Sequence, residues 1–159
     1  MIADNALQVA NVYAPTAFGA TLNFQSYVDR LVAQDDGAGM DVTAYGLIST
    51  AVTSAGAATV QFQVLGNATD PTFAAGNVVL LDTGVIAKAT LALGYQFLRA
   101  KLPRIPLLST LETTPSFLRY LTVVAIIGTA NLTAGAWNIW FGYGPLQDNL
   151  SYAAGYSFP

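Results

Sequence analysis

The stretch that decides the fold class is TVQFQVL, residues 59–65, in which apolar and polar side chains alternate. Val60, Phe62 and Val64 point to one side of an extended chain, while the two glutamines between them point to the other. A period of two is typical of a strand that buries one face and exposes the other to solvent. The stretch therefore predicts one strand of a sheet that covers an apolar core.

Similar segments lie on both sides of this strand. Residues 42–50 predict an earlier strand, and the turn residues that follow it favour an antiparallel pair with residues 59–65. Later strands are predicted at residues 78–81, 85–87, 97–102, 118–127 and 136–143. Residues 82–84 are interpreted as a break between the first two of these. Residues 128–135 supply a turn, so the last two are expected to form a hairpin.

The order of these segments predicts an all-β chain. No stretch favours a long helix, because most of the residues that fill amphipathic helices are scarce. Residues 118–127 are nearly continuously apolar, as expected of a central strand covered on both faces. About eight strands with no helix between them predict an antiparallel β-sandwich of jelly-roll type. We predict an N-terminal arm at residues 1–27, the jelly-roll domain at 28–144 and a C-terminal aromatic arm at 145–159.

The composition points to an assembly subunit. The chain is 53% hydrophobic and only 9% charged, whereas an average chain is about 25% charged. An exposed monomer surface normally carries more ionic groups than this. We therefore predict that neighbouring proteins cover much of the surface.

Several classes of partner are excluded by charge and length. A net charge of −3 provides no basic face for phosphate backbones, so nucleic acid is not a predicted partner. The longest apolar run, Phe117–Ile127, contains Arg119 and is shorter than the ~20 residues of a membrane-spanning helix. The first residues lack the basic region of a signal peptide. The absence of cysteine is consistent with synthesis in a reducing cytoplasm.

Catalytic chemistry is poorly supported. The chain has no histidine to activate a serine nucleophile. Asp82 and Glu112 are the alternative, an acid pair for hydrolysis, if they converge in one cleft. Asp35, Asp36 and Asp41 surround two glycines, but without a distal glutamate they predict a solvated turn rather than a calcium loop. We predict no enzyme, no catalytic residue, no cofactor and no metal.

Basic and aromatic residues are the candidates for an interaction surface. Arg99 and Lys101 share a strand face, and Arg104 follows them. They either protect a sheet edge from pairing or form a contact patch for an acidic partner. Trp140 is either a core residue or an interface anchor, since Trp is enriched in interface hot spots.

The C-terminal arm carries three more candidates, Tyr152, Tyr156 and Phe158. Fraying is one interpretation of such a tail. Isolated aromatic side chains gain little from staying solvated, so we expect the tail to dock on a neighbouring subunit or on its own sheet. Deleting residues 150–159 is then expected to weaken assembly.

Three segments resemble jelly-roll capsid cement proteins of tailed bacteriophages. The segment FLRYLTVVAIIGTANLTAGAWNIWFGYG, residues 117–144, resembles the closing hairpin of that family. The ending YAAGYSF, residues 152–158, resembles its short aromatic tail, and residues 94–103, which contain FLRAKLP, resemble its preceding strand.

This resemblance implies a non-enzymatic virion protein on the outer capsid surface, made in the cytoplasm of a bacterial host. It implies that a homodimer or homotrimer cements neighbouring major capsid protein subunits and stabilises the shell. Arg99, Lys101, Arg119, Trp140 and the terminal aromatics are the expected interface residues. The alternative is a carbohydrate-binding β-sandwich module of a phage tail or fibre, with exposed Trp and Tyr as stacking platforms.

Overall fold

Nine strands account for most of the structure, a computed structural model that describes residues 8–13, 21–23, 27–29, 42–103 and 118–143. In chain order they are β1 (Gln8–Tyr13), β2 (Thr21–Asn23), β3 (Val28–Asp29), β4 (Val42–Thr53), β5 (Thr59–Asn67), β6 (Val78–Ala87), β7 (Gln96–Lys101), β8 (Tyr120–Gly128) and β9 (Ala134–Tyr143). Within the described ranges the helical structure is a single 3-10 turn at Lys88–Thr90. None of these residues belongs to a helix long and apolar enough to cross a membrane.

The strands form two antiparallel sheets. The four-stranded sheet has the order β1-β9-β4-β7, and the five-stranded sheet has the order β2-β8-β5-β6, with β3 also paired to β8. The pairs are nested along the chain: β5 pairs with β6, β4 with β7, β2 and β3 with β8, and β1 with β9. Rolling this long hairpin brings β4 beside β9 and β5 beside β8. This is the strand order of a jelly roll, so the predicted fold class is confirmed.

The apolar faces of the two sheets meet in one core. Val60, Phe62 and Val64 of β5 are at most 1% exposed, which confirms the alternation in TVQFQVL. The Phe62 ring stacks on Phe97 with centroids 3.8 Å apart and meets Trp137 edge-on at 5.3 Å. Because Phe97 and Trp137 belong to the opposite sheet, these rings join the two layers.

Two predicted strand pairings are wrong. Strand β4 pairs with β7 and β9 rather than with β5, and β8 pairs with β2, β3 and β5 rather than with β9. The connections at residues 54–58 and 129–133 each cross from one sheet to the other. The apolar faces of the connected strands therefore meet across the core instead of side by side.

The predicted break at residues 82–84 is a β-bulge inside one continuous strand. Gln61 pairs with Val85 and Gln63 with Asp82, so Thr83 and Gly84 together oppose Phe62. Gly84 adopts a φ of +68°, which suits a residue without a Cβ. The extra residue twists β6 without ending it.

The predicted N-terminal arm also needs correction. Residues 8–13 pair with β9 and residues 21–23 pair with β8, so the sandwich begins well before residue 28. These strands are only six and three residues long, and neither shows clear alternation in the sequence. The predicted C-terminal arm, residues 145–159, lies outside the described residues.

The loop between β5 and β6, residues 68–77, covers part of the outer face of the five-stranded sheet. Phe73 in this loop is 7% exposed and packs with Leu65, Tyr120 and Val124 in a second apolar cluster. The loop is anchored by the buried Asn67, whose Nδ2 donates to the carbonyl of Ala75 at 2.6 Å. This cluster helps to bury β8 on both faces, as its sequence predicts.

Candidate interaction surfaces

The outer face of the four-stranded sheet carries an aromatic and basic row, formed by Arg99, Lys101, Tyr45 and Trp140. Tyr45 on β4 lies between Arg99 on β7 and Trp140 on β9. Residues directly opposite each other on paired strands share a face. Lys101 pairs with Thr43 two positions along β4, so it lies on the same face. Three of the predicted interface residues, Arg99, Lys101 and Trp140, are therefore brought together.

Ring stacking makes this row rigid. The rings of Tyr45 and Trp140 lie 5.6 Å apart at 11°, an arrangement that contributes about 0.5–1.5 kcal/mol beyond the burial of area. Tyr45 is buried and Trp140 is half-buried, so little of this aromatic surface is open to solvent. A sugar platform needs broad exposed rings, whereas a half-buried ring in a row that also carries two cations suits a protein contact.

Arg119 does not join the row, because it precedes β8 in the other sheet. Its Nε and Nη2 donate to Oδ1 and Oδ2 of Asp29, both at 2.8 Å. This contact raises the pKa of Arg119, chiefly through the hydrogen bonds to the carboxylate. The guanidinium also lies 4.9 Å from the Tyr120 ring centroid. Arg119 thus fastens β3 to the start of β8.

The remaining predicted site residues fall outside the described residues. They are the interface candidates Arg104, Tyr152, Tyr156 and Phe158, and the acids Asp35, Asp36, Asp41 and Glu112. Within the described part of the chain, no group of three or more side chains could hold a metal ion.

Asp82, half of the acid pair considered for hydrolysis, stabilises the bulge. Its carboxylate accepts hydrogen bonds from the amides of Gln61 and Gln63 and from the backbone N–H of Gly84, at distances of 2.7–2.9 Å. These donors, led by Gln61, lower the pKa of the Asp82 carboxyl. A carboxylate held in this way acts as a structural acceptor.

Sequence reasoning missed the surface that exposes most apolar area. Val78, Val79 and Val85 are 48%, 51% and 69% exposed, and we call these three residues the β6 edge. Among the described residues, five of the six exposed large apolar side chains lie between positions 78 and 95; Leu93 and Tyr95 are the other two. The signal was the stretch VVLLDTGVIA, which has no basic residue, but it was divided at Asp82.

The edge strands β6 and β7 differ in how well they are protected from pairing with another strand. Strand β7 carries Arg99 and Lys101, and such charges discourage pairing with another strand. Strand β6 has only Asp82, whose charge is already engaged. The nearest basic residue, Lys88, donates its Nζ proton to the carbonyl of Ser54 at 2.6 Å.

A comparison with known protein families finds a match that spans nearly all of these strands. A family model described as Bbp16 matches residues 9–140. The chain belongs to the Bbp16 family. The Bbp16 match begins in β1 and ends at Trp140 in β9, so it spans both sheets and includes Arg99, Lys101 and Arg119. A search of the curated proteins finds no match.

Proposed function

We propose that this protein is a structural virion protein that binds the outside of a bacteriophage capsid as an oligomer and cements neighbouring major capsid protein subunits. The observation that carries the proposal is the β6 edge, an open strand edge with exposed valines and no basic residue. Monomeric proteins normally protect such edges. An exposed apolar patch of this kind marks an interface.

The use of the acids supports a structural role rather than a catalytic one. Asp29 pairs with Arg119, and Asp82 holds the bulge. Asp70 accepts hydrogen bonds from Thr72, Ala74 and Ala75, so it shapes the loop that carries Phe73. Each carboxylate in the described part of the chain therefore stabilises local structure.

The choice of a viral shell as partner rests on the resemblance of residues 94–103, 117–144 and 152–158 to capsid cement proteins. The physical basis of cementing is avidity, because an oligomer that touches several subunits gains effective concentration with each contact. Apolar area supplies most of the driving force. The low charge of this chain suits that mode of binding, since charged residues are depleted at interface cores.

The test is the mass of the purified protein in solution, followed by its retention on isolated shells in a sedimentation assay. We expect an oligomer that sediments with shells. The double variant Arg99→Gln, Lys101→Gln removes the cations of the aromatic and basic row and is expected to lower retention. Lys88→Gln removes a cation outside this row, keeps a donor for the carbonyl of Ser54 and serves as the control.

A monomer that binds polysaccharide but no shell would contradict cementing and support the carbohydrate-binding module instead. Equal retention of the double variant and the Lys88→Gln control would show that the row does not contact the shell.

A further inference from the structure

The β6 edge offers room for another strand. Within the described residues, β6 pairs only with β5, so one side of its backbone is available to a partner strand. Val79 and Val85 project from it into solvent. The one charge on the strand, Asp82, is already engaged by Gln61, Gln63 and Gly84. An uncharged strand with an apolar face is the complementary occupant.

The chain contains a segment with this character after β9. Residues 150–158, LSYAAGYSF, carry no charged residue and alternate between larger apolar side chains and small ones. The larger side chains, with Ala154 among them, occupy the even positions Leu150, Tyr152, Ala154, Tyr156 and Phe158. A period of two predicts a strand with one apolar face.

We propose that residues 150–158 of one copy add to the β6 edge of a second copy as an antiparallel strand. Aromatic residues opposite β-branched residues stabilise strand pairs, and this addition places Tyr152 and Tyr156 of the tail opposite Val85 and Val79. The inference takes from the proposed function only the expectation that the protein is an oligomer.

Strand directions show which end of β6 the tail can reach in its own subunit. Gly128 pairs with Thr59, and Thr59 pairs with Ala87, so Ala87 lies at the end of the sandwich where β8 leads into β9. Tyr143 lies at the opposite end, together with Val78. The tail thus leaves β9 at the Val78 end.

This geometry favours a second copy over the same chain. A tail that starts at the Val78 end runs parallel to its own β6, although every pair in both sheets is antiparallel. Parallel pairing is slightly less stable. To run antiparallel it would first have to pass the length of β6, which spans eight residues of β5, a distance of about 27 Å. Residues 144–149 reach only about 20 Å when fully extended.

Disulfide cross-linking tests the proposal cleanly, because the chain has no cysteine of its own. Proteins with one cysteine each are mixed, allowed to exchange subunits and oxidised. Register shifts at Leu80 and at residues 83–84 shorten β6 by two positions between Val79 and Val85. Val85→Cys is therefore paired with Tyr152→Cys, and Val79→Cys with Tyr156→Cys. We expect covalent dimers from both antiparallel pairs. Ala55→Cys, an exposed position in the connection between β4 and β5, is the control and is expected not to cross-link with either tail cysteine.

Three outcomes overturn the proposal. The first is cross-linking of the exchanged pairs, Val85→Cys with Tyr156→Cys and Val79→Cys with Tyr152→Cys, in preference to the antiparallel ones. The second is a cross-link that forms only within one chain when both cysteines are on it. The third is no cross-link above the Ala55→Cys control.

A second measurement uses the mass of the oligomer. Val85→Lys places a charge on the edge and is expected to reduce the mass to the same value as deletion of residues 150–159. Val85→Thr keeps a β-branched residue and is expected to keep the oligomer. Because Val85 is 69% exposed, neither substitution disturbs the core, and thermal unfolding checks this. If the tails cross-link but the protein does not bind shells, the result contradicts only the proposed cementing function. If the protein binds shells but the tails do not cross-link, the result contradicts only the tail exchange.

Discussion

The backbone N–H of Phe62 donates a hydrogen bond to the side-chain hydroxyl of Thr83 at 3.0 Å. At this position the bulge in β6 removes the backbone acceptor that a regular ladder would offer to β5. A hydroxyl therefore substitutes for a carbonyl, and a stretch that the sequence divides into two strands remains a single strand.

This contact predicts the effect of removing the hydroxyl. Thr83→Val keeps the shape of the side chain but leaves the N–H of Phe62 without its acceptor, which is expected to cost about 1–3 kcal/mol. Thr83→Ser keeps the hydroxyl and serves as the control. Urea unfolding measures both, and equal midpoints would show that the hydroxyl is not needed at the bulge.

Gly46 predicts a second effect in the core. A Cβ at this position would lie 2.4 Å from Cε2 and Cζ of Phe97, whose ring is stacked on Phe62. Gly46→Ala is therefore expected to destabilise the fold by about 1–3 kcal/mol through overpacking. Gly66→Ala meets mainly the end of the Leu118 side chain and is expected to cost less. Thermal unfolding compares the two, and a larger loss for Gly66→Ala would contradict this account.

Asp82 predicts a dependence of stability on pH. Its hydrogen bonds hold the folded-state pKa below the ordinary value of 3.8. A lowered pKa means that the carboxylate stabilises the fold above that value and that this contribution is lost as the pH falls through the folded pKa. Asp82→Asn is expected to make the loss of melting temperature between about pH 5 and pH 2 smaller than in the unmodified protein. If the melting temperatures of Asp82→Asn and of the unmodified protein fall by the same amount across that range, the charge of Asp82 has no such role.

Asn67 predicts how the loop over the five-stranded sheet is held. Its side chain is 2% exposed, donates to Ala75 and Asn77, and accepts from the N–H groups of Thr69 and Asp70. Asn67→Ala is expected to cost about 2–4 kcal/mol because several polar groups lose their partner at once. Asn67→Asp keeps the acceptor and is expected to retain part of that stability. Limited proteolysis between residues 68 and 77 reports the release of the loop, and an unchanged cleavage rate would argue against this anchor.

The sequence predicted which residues are buried better than which strands are neighbours. Alternation is a local property, so Val60, Phe62 and Val64 were assigned to the core correctly. Pairing depends on where a five-residue connection leads. A crossing between sheets and a hairpin turn have similar composition, and for this reason both predicted hairpins were wrong.

The interaction surfaces likewise depend on strand pairing, which local sequence patterns do not show. Arg99 and Trp140 are 41 positions apart, and only the register of β4 places them on either side of Tyr45. Arg119 donates to Asp29 although the two residues are 90 positions apart, and no local sequence pattern indicates this contact. The exposed valines of β6 were visible in the sequence, but the stretch was divided at Asp82 because its bulge resembles a turn.

The nesting of the strands has a consequence for synthesis. Strands β8 and β9 lie inside their sheets, and they pair with segments that leave the ribosome long before them. Until residues 120–143 emerge, β1 and β2 have no partner, and β4 and β5 each lack one neighbour. Closure over such long separations is slow. The apolar faces of a nascent chain therefore stay uncovered until β8 and β9 have left the ribosome, and only then can the sandwich close.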